Sequence, residues 1–255
     1  MPETLLHGLR VLDLAGEPAE MAGRILADLG AEVVRVEPAA HAASTEVLRS
    51  AAWCAGKTRC ALSDGDPELD GLLAGAAVVI DTPGWPGTLQ LDPSRAPGAV
   101  WVSVTPFGLS GPRAGWLASD LGVMAASGNM YPTGDPDRPP VRCSEPAAYA
   151  HVGPETAMAA LTALASGRPQ RVDVSAQEAV LVANMCGPGA FVRTGSPGAR
   201  RGPNTGRTRE IWRCLDGYVS FGLRGGRARV PSLRTITGLV EEEGLSTPEL
   251  TGRDW

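Results

Sequence analysis

The sequence lacks the cysteine arrangements that would indicate a disulfide framework or a zinc site. Its cysteines number five, an odd count, and none of them forms a Cys-x-x-Cys pair. It also lacks the apolar run of a membrane span, about 18 uncharged residues, and the ordered segments of a signal peptide. We therefore expect no metal centre, no membrane partner, and a cytoplasmic protein whose thiols stay reduced.

Excess positive charge and nucleotide-binding signatures are also missing. The 255 residues carry a formal net charge of −5, which argues against a nucleic-acid partner. After the first predicted strand the chain reads Ala15-Gly16-Glu17-Pro18-Ala19, without the Gly-x-Gly-x-x-Gly that lets a backbone approach a pyrophosphate. No Gly-x-x-x-x-Gly-Lys-Ser/Thr occurs either. Both absences argue against a nicotinamide, flavin or nucleoside triphosphate site.

The start of the chain has the pattern of a parallel α/β domain. Residues 10–14 form a short β-rich run, and helical spacing follows from Pro18, which suits a first helical turn, to Gly30, which ends the helix. Residues 32–37 then have valines at alternate and adjacent positions, as in a strand covered on both faces. An open α/β sheet of this kind binds ligands near the carboxyl ends of its strands.

Further strands and helices alternate along the chain, separated by loops rich in Gly and Pro. We predict a polar loop through Ser50, a loop at 52–62 entering a third strand, strands at 76–81, 99–105 and 171–174, and helices from Asp66, over 119–129 and over 154–166. A capping box at Ser175 predicts the start of a long apolar helix. Residues 187–206 mark a boundary, followed by a hairpin within 209–223 and a helix over 231–243.

Seven short strings, each weak alone, carry a resemblance when taken in order. They are GLRVLDL (8–14), LADLGAEVVRVEP (26–38), GK (56–57), AVVID (77–81), VSVTPFGLSGP (102–112), VDVS (172–175) and CLDGY (214–218). Together they resemble the family III CoA-transferases, the group that includes formyl-CoA transferase, carnitine CoA-transferase and 2-methylacyl-CoA racemase. The resemblance extends over nearly the whole chain.

The resemblance implies a Rossmann-like large domain and a smaller second domain. We place the large domain at residues 1–190, a linker at 191–208 and the start of a small α+β domain at 209–255. One hairpin, one helix and a tail are too little for a domain with its own core, so the small domain is expected to be incomplete relative to the family. The resemblance also implies an interlocked dimer whose two subunits build the acyl-CoA site. We expect a homo- or heterodimer with a second family III chain.

The resemblance further implies a catalytic aspartate near the start of the buried helix that follows a Pro-Pro-Val loop. The matching segment is PPVRCSEPAAYAHVG at 139–153, and the aspartate position is Tyr149. In the family that carboxylate attacks the acyl thioester, giving a mixed anhydride, and CoA thiolate then returns to form an aspartyl thioester. A phenol, with a pKa of about 10, has no carbonyl carbon for a thiolate to attack. Tyr149 therefore does not support this cycle.

The racemases of the family add an upstream histidine, and the corresponding position here is Ser119, just before the family-like Asp120. A serine hydroxyl does not take up and return a proton as an acid–base catalyst near neutral pH. Weak substitutes for the missing groups are His151 and Glu145, two and four residues from position 149 and on different faces of a helix. The alternative interpretations are a helix-entry residue for His151 and an exposed loop charge for Glu145.

The contacts to coenzyme A are expected to be better retained than the catalytic groups. By resemblance, Arg35 and Lys57 hold nucleotide phosphates as charge-assisted donors, with ordinary surface charge as the alternative interpretation. The loop that starts at Thr82 is another family contact, usually Asn-Phe-x-Pro-Gly, and here it reads Thr-Pro-Gly-Trp-Pro-Gly. Trp85 in this loop offers an aromatic face for adenine.

These observations favour an acyl-CoA-binding subunit that lacks the catalytic aspartate within a heteromeric acyl-CoA:carboxylate CoA-transferase. Two alternatives stay open. One is an active transferase or racemase-like enzyme with a relocated acid or base, and the other is a non-catalytic acyl-CoA-binding or scaffold protein. The substrate is expected to be coenzyme A or an acyl-CoA, without a metal. The sequence does not identify the acyl group.

Overall fold

A computed structural model describes residues 4–38, 47–205, 208–223 and 225–253. Six parallel strands form its main sheet in the order β3-β2-β1-β4-β5-β6. The strands are β1 (Arg10–Asp13), β2 (Glu32–Pro38), β3 (Thr58–Leu62), β4 (Val78–Asp81), β5 (Val100–Thr105) and β6 (Gln170–Ser175). This strand order is that of a doubly wound nucleotide-binding fold. The expected α/β class with a Rossmann-like parallel sheet is therefore confirmed.

Nine helices are found in the described part of the chain. They are α1 (Glu20–Asp28), α2 (Val47–Trp53), α3 (Pro67–Gly75), α4 (Asp120–Ala126), α5 (Ala147–Ala165), α6 (Ala176–Val182), α7 (Cys186–Thr194), α8 (Val230–Glu242) and α9 (Pro248–Thr251). Short 3₁₀ turns lie at Glu17–Ala19, Pro93–Arg95 and Arg227–Arg229. No helix of the described ranges is both long enough and apolar enough to cross a membrane.

The central strands of the sheet are buried on both faces, as their valine-rich sequences predict. Every residue of β4 and β5 is buried. On one face the strands pack against α1, α4, α5 and α6, and on the other against α3 and the loop residues Leu91 and Ala96. Continuous apolar strands suit this arrangement because neither face meets water.

The longest helix begins earlier than predicted. Pro154 was expected to open a helix over 154–166, yet α5 runs over Ala147–Ala165 with that proline inside it. Close packing against α1 explains why the helix persists, since a Cβ on Gly153 would lie 2.6 Å from the Cβ of Met21. Tyr149 therefore lies within the first turn of a helix rather than in a loop before it.

Two other predictions about local structure are wrong. The polar loop predicted through Ser50 includes a helix, α2, although residues 39–46 of that loop lie outside the described residues. The long helix predicted from Ser175 ends after seven residues at Val182. Its start is as expected, since the Ser175 hydroxyl accepts a hydrogen bond from the Glu178 amide. The chain then turns and forms α7 inside the predicted boundary region.

The chain divides into two compact units. The first comprises Met1–Tyr131 and Arg142–Gly198 and contains the six-stranded sheet. The second comprises Pro132–Val141 and Ala199–Trp255. Its elements are the two-residue strands β7 (Asn204–Thr205) and β8 (Thr208–Arg209), the hairpin of β9 (Ile211–Arg213) and β10 (Tyr218–Ser220), and α8 and α9. The hairpin and the helix predicted after residue 208 are thus both present.

Candidate functional site

The order of the strands places a crevice between the loops that follow β1 and β4. Strand order reverses between these two neighbours, and open α/β sheets bind ligands at such a point. The two loops are joined directly, because the Gly16 amide donates a hydrogen bond to the Thr82 hydroxyl at 2.8 Å. Thr82 itself is only 2% exposed. One of the residues predicted to contact coenzyme A thus holds the two walls of the crevice together.

Trp85, the second predicted residue of this loop, packs against the opposite wall. A Cβ on Gly16 would lie 2.3 Å from Cδ1 of Trp85, so only glycine leaves room for the indole. The indole also meets the ring of Tyr149 perpendicularly, with 6.1 Å between the ring centroids, a favourable geometry for an aromatic pair. Two of the positions at which the resemblance predicts a different residue are therefore in contact.

Tyr149 is buried at the N-terminal turn of α5 and lines a cleft of about 300 Å³. The other lining residues are Glu17, Arg49, Ser119, Asp120, Leu121, Arg142, Cys143, Ser144, Glu145 and Pro146. Burial, together with the negative charges of Glu17 and Asp120, raises the pKa of the Tyr149 phenol above its ordinary value. The phenol is therefore neutral at physiological pH and carries no phenolate nucleophile.

Asp120, which no sequence pattern links to a function, also lines the cleft. Its Oδ1 accepts a hydrogen bond from the Tyr149 amide at 3.1 Å. Burial raises the pKa of Asp120, although hydrogen bonds from the amides of Tyr149 and Ala148 and the charge of Arg142 oppose that rise. The contact caps the exposed amides of the first turn of α5 with a carboxylate. No local sequence pattern predicts this contact, because it joins residues 29 positions apart.

The two expected substitutes for the catalytic groups lie in different surroundings. Glu145 is exposed and lines the cleft, whereas His151 is exposed on α5 and is not among the residues that line it. Ser119, at the racemase histidine position, is the N-cap of α4 and accepts a hydrogen bond from the Gly122 amide. The cleft therefore brings Glu145 and Asp120 together beside Tyr149 and leaves His151 outside.

Arg49 and Arg142 supply the positive charge of the cleft, and the sequence analysis did not identify either of them. Arg49 lies on α2, forms an ion pair with Glu17 and lies over the ring of Trp53 at 5.6 Å from its centroid. Because α2 was predicted to be a loop, no pattern placed Arg49 beside position 149. Arg142 lies in the loop before α5 and is exposed.

Arg35, predicted to hold a phosphate, is buried and paired within the protein. Its guanidinium donates to the Ala15 carbonyl at 2.9 Å and to carboxylate oxygens of Glu20 at 2.7 Å and Glu37 at 3.1 Å. Burial alone would lower the pKa of Arg35, but the charges of Asp13 and Glu20 outweigh it and raise the pKa. It is therefore a permanent internal cation, and its alternative interpretation as surface charge is wrong.

Lys57, the other predicted phosphate ligand, is also internal, with a side chain that is 0% exposed. Its Nζ lies 2.6 Å from Oδ2 of Asp13, whose side chain is equally buried. The surface-charge interpretation of Lys57 is therefore wrong too. Phosphate binding by Arg35 and Lys57 stays a prediction. Within the described ranges, no cluster of three or more His, Cys, Asp or Glu side chains could hold a metal ion.

The family model and two relatives that match this chain are all described as CoA-transferases. The model of the family described as CoA-transferase family III matches residues 6–247. Succinyl-CoA:(R)-benzylsuccinate CoA-transferase subunit BbsE of Thauera aromatica is 29% identical over 245 residues, which cover 83% of this chain and 58% of that protein. Succinate–glutarate CoA-transferase of Agrobacterium fabrum is 29% identical over 282 aligned residues, covering 95% of this chain and 69% of that protein.

A solved structure shares the fold. The crystal structure of a CAIB/BAIF family protein from Brucella suis superposes with a TM-score of 0.72 at 26% identity, covering 93% of this chain and 71% of the other. The chain thus spans only part of the length of each of these proteins, and 58% of the benzylsuccinate transferase subunit.

Proposed function

The chain belongs to CoA-transferase family III, and from this premise we propose that it is an acyl-CoA-binding subunit of a heteromeric acyl-CoA:carboxylate CoA-transferase. The observation that carries the proposal is Tyr149, which stands where the family resemblance places the nucleophilic aspartate. A relative that is named as a subunit of a CoA-transferase supports a division of labour between chains. A partner chain would then supply the missing carboxylate.

The chemistry of the transfer supports this division. A carboxylate nucleophile must first form a mixed anhydride with the acyl group and then a thioester with CoA, so the nucleophile needs a carbonyl carbon. The phenol of Tyr149 has none, and its raised pKa keeps it protonated. Its ring instead fills the space beside Trp85, where it stabilises the crevice by aromatic packing.

The test is transfer of CoA by the chain alone and by a mixture. Both relatives described above are named for succinate or succinyl-CoA, so succinyl-CoA is the donor of first choice. We expect the purified chain to bind it without transferring CoA to an acceptor acid, and we expect activity when a family III chain with an aspartate at the matching position is co-expressed. Transfer by the chain alone would contradict the proposal.

A second candidate function is catalysis by a relocated carboxylate, and the position of Asp120 and Glu145 in the Tyr149 cleft favours it. Either carboxylate could attack a thioester and release CoA thiolate. The thiolate would then attack the side-chain carbonyl of the mixed anhydride, expel the acyl group as a free carboxylate and leave a CoA thioester on the protein. Hydroxylamine would displace CoA thiolate from that thioester and leave a hydroxamate on the side chain. A hydroxamate that is found in the wild type and is lost in Asp120→Asn or Glu145→Gln would establish this function. A protein that stays unlabelled favours the binding subunit.

A further inference from the structure

Lys57 is the only lysine of the chain, and its side chain is completely buried. Its Nζ contacts Oδ2 of Asp13 at 2.6 Å and donates to the main-chain carbonyl of Glu20, also at 2.6 Å. Both contacts are internal, and their partners flank the β1–α1 loop, since Asp13 ends β1 and Glu20 begins α1. The ammonium therefore already has a buried counter-ion and a carbonyl acceptor.

Asp13 also contacts the turn that forms one wall of the crevice. Its Oδ1 accepts a hydrogen bond from the Ala15 amide at 3.0 Å, which shapes the turn directly after β1. The next amide, that of Gly16, is the donor that joins Thr82 on the opposite wall. A continuous series of polar contacts thus connects Lys57, through Asp13 and the turn, to the loop that carries Trp85.

The surrounding structure leaves space specifically for the Lys57–Asp13 pair. A Cβ on Gly23 would lie 2.4 Å from Oδ2 of Asp13 and 3.0 Å from Cε of Lys57. Helix α1 therefore passes the pair with a glycine, the residue that leaves the most room. If the ammonium left to meet a phosphate, the buried Asp13 carboxylate would lose its nearest counter-ion and keep only the Arg35 guanidinium, whose Nη1 lies 3.7 Å from Oδ1, which is unfavourable.

We infer that Lys57 is a positioning residue, which fixes the β1–α1 loop through Asp13 and makes no contact with the ligand. This inference rests on the proposed binding of acyl-CoA at the crevice. It differs from the role that the family resemblance implies, because in that role the ammonium is itself a phosphate ligand. The two roles predict a different accessibility of the Lys57 amine to reagents. They also predict that substitution of Lys57 changes the salt dependence of CoA binding in one case and not in the other.

Accessibility is tested by acylating the native chain with an amine-reactive acetylating reagent and locating the modification by mass spectrometry. With one lysine, a single peptide reports the result. We expect Lys57 to stay unmodified both without and with CoA, and to be modified in denaturant. Rapid modification of the native chain that CoA suppresses would overturn the inference, because a phosphate ligand must be reachable when no phosphate is bound.

Salt dependence and rescue are tested by calorimetry with CoA at two salt concentrations. We expect Lys57→Met to weaken binding about tenfold by removing the nearest counter-ion of Asp13, and the double variant Asp13→Asn/Lys57→Met to recover most of the loss. In both variants the salt dependence should equal that of the wild type. The control is Arg59→Met, which removes a half-exposed cation on β3 and should bind as the wild type does.

A double variant as weak as Lys57→Met, with a shallower salt dependence, would overturn the inference. If Lys57→Met does not fold, the double variant and the acylation experiment still distinguish a positioning residue from a phosphate ligand. Failure of the wild type to bind CoA would overturn the proposed function itself, which is a different result from weak binding by the variants.

Discussion

The side chains of Tyr149 and Trp85 meet although they are far apart in the sequence, and each lies at a position where the resemblance predicts a different residue. Sequence comparison predicts the two departures separately, since each lies in a recognisable string. Their contact depends on the order of β1 and β4 and on the glycine at position 16, neither of which a local pattern specifies. The contact between Asp120 and the start of α5 is likewise not specified by a local pattern, because it requires α5 to start at Ala147.

If position 149 is the site of the missing nucleophile, a carboxylate placed there should form an acyl-enzyme. We expect Tyr149→Asp, incubated with succinyl-CoA and hydroxylamine, to acquire a hydroxamate at residue 149 that mass spectrometry detects. The matched control Tyr149→Asn creates the same space without a nucleophile and should stay unlabelled. Labelling of neither variant, with both still binding CoA, would contradict the assignment of this position.

Asp81, at the end of β4, is expected to make the stability of the fold depend on pH. It is 4% exposed, its Oδ1 has no hydrogen-bond partner among the described residues, and burial raises its pKa to about 6. Because the folded state binds this proton more tightly than the unfolded state, Asp81 lowers the free energy of unfolding as pH rises from about 4 to 6. We expect Asp81→Asn to raise that free energy by about 2 kcal/mol at pH 7.5 and by much less at pH 4.5.

Urea denaturation at the two pH values measures this difference. Asp137→Asn is the control, since it changes an exposed aspartate in a loop and should have little effect at either pH. An Asp81→Asn effect that is equal at pH 4.5 and 7.5 would show that packing, rather than ionisation of the carboxyl group, determines the stability change.

At the scale of elements, the strands were the most predictable part of the fold. Valine-rich runs bounded by Gly and Pro identified β1, β2, β4 and β5 within a residue or two, because these strands are buried on both faces. The helices were harder, since their ends depend on tertiary contacts. Pro154 is a strong local signal for a helix start, yet α5 begins seven residues earlier because its first turns pack against α1 and are capped by Asp120.

Two helical glycines distinguish tertiary packing from helix propensity. In Gly153→Ala the new Cβ would lie 2.6 Å from the Cβ of Met21, so α1 must move, and we expect a loss of about 1–3 kcal/mol in the free energy of unfolding. In Gly71→Ala on α3 the new Cβ meets nothing within 4 Å, and we expect a gain of about 0.5–1 kcal/mol. Thermal denaturation of both variants checks the prediction. A stabilising Gly153→Ala would contradict the close packing of α1 and α5.

At the scale of the whole molecule, α7 has no buried residue although it carries Phe191 and Val192, which are 52% and 87% exposed. Exposed apolar side chains grouped on one helix are typical of surfaces that another chain covers. The family resemblance implies a dimer, and we expect a second family III chain to cover α7. In a preparation of this chain alone, that second chain is another copy of it.

We expect analytical ultracentrifugation to find the wild type as a dimer and Val192→Glu as a weaker one, because the substitution places a charge in an apolar contact. The control is Met158→Glu, which changes an exposed apolar side chain on a different helix, α5. A monomeric wild type, or equal association of the two variants, would contradict this prediction.

The outer strands of the sheet limit how such association occurs. Unpaired amides and carbonyls along the border of a sheet invite additional strands, and charged side chains there discourage it. β3 carries the exposed Arg59, and β6 carries the exposed Arg171 and Asp173. Sheet extension from one molecule into the next, the first step toward fibrils, is therefore disfavoured at both borders, so concentrated solutions of the folded protein should resist fibrillation.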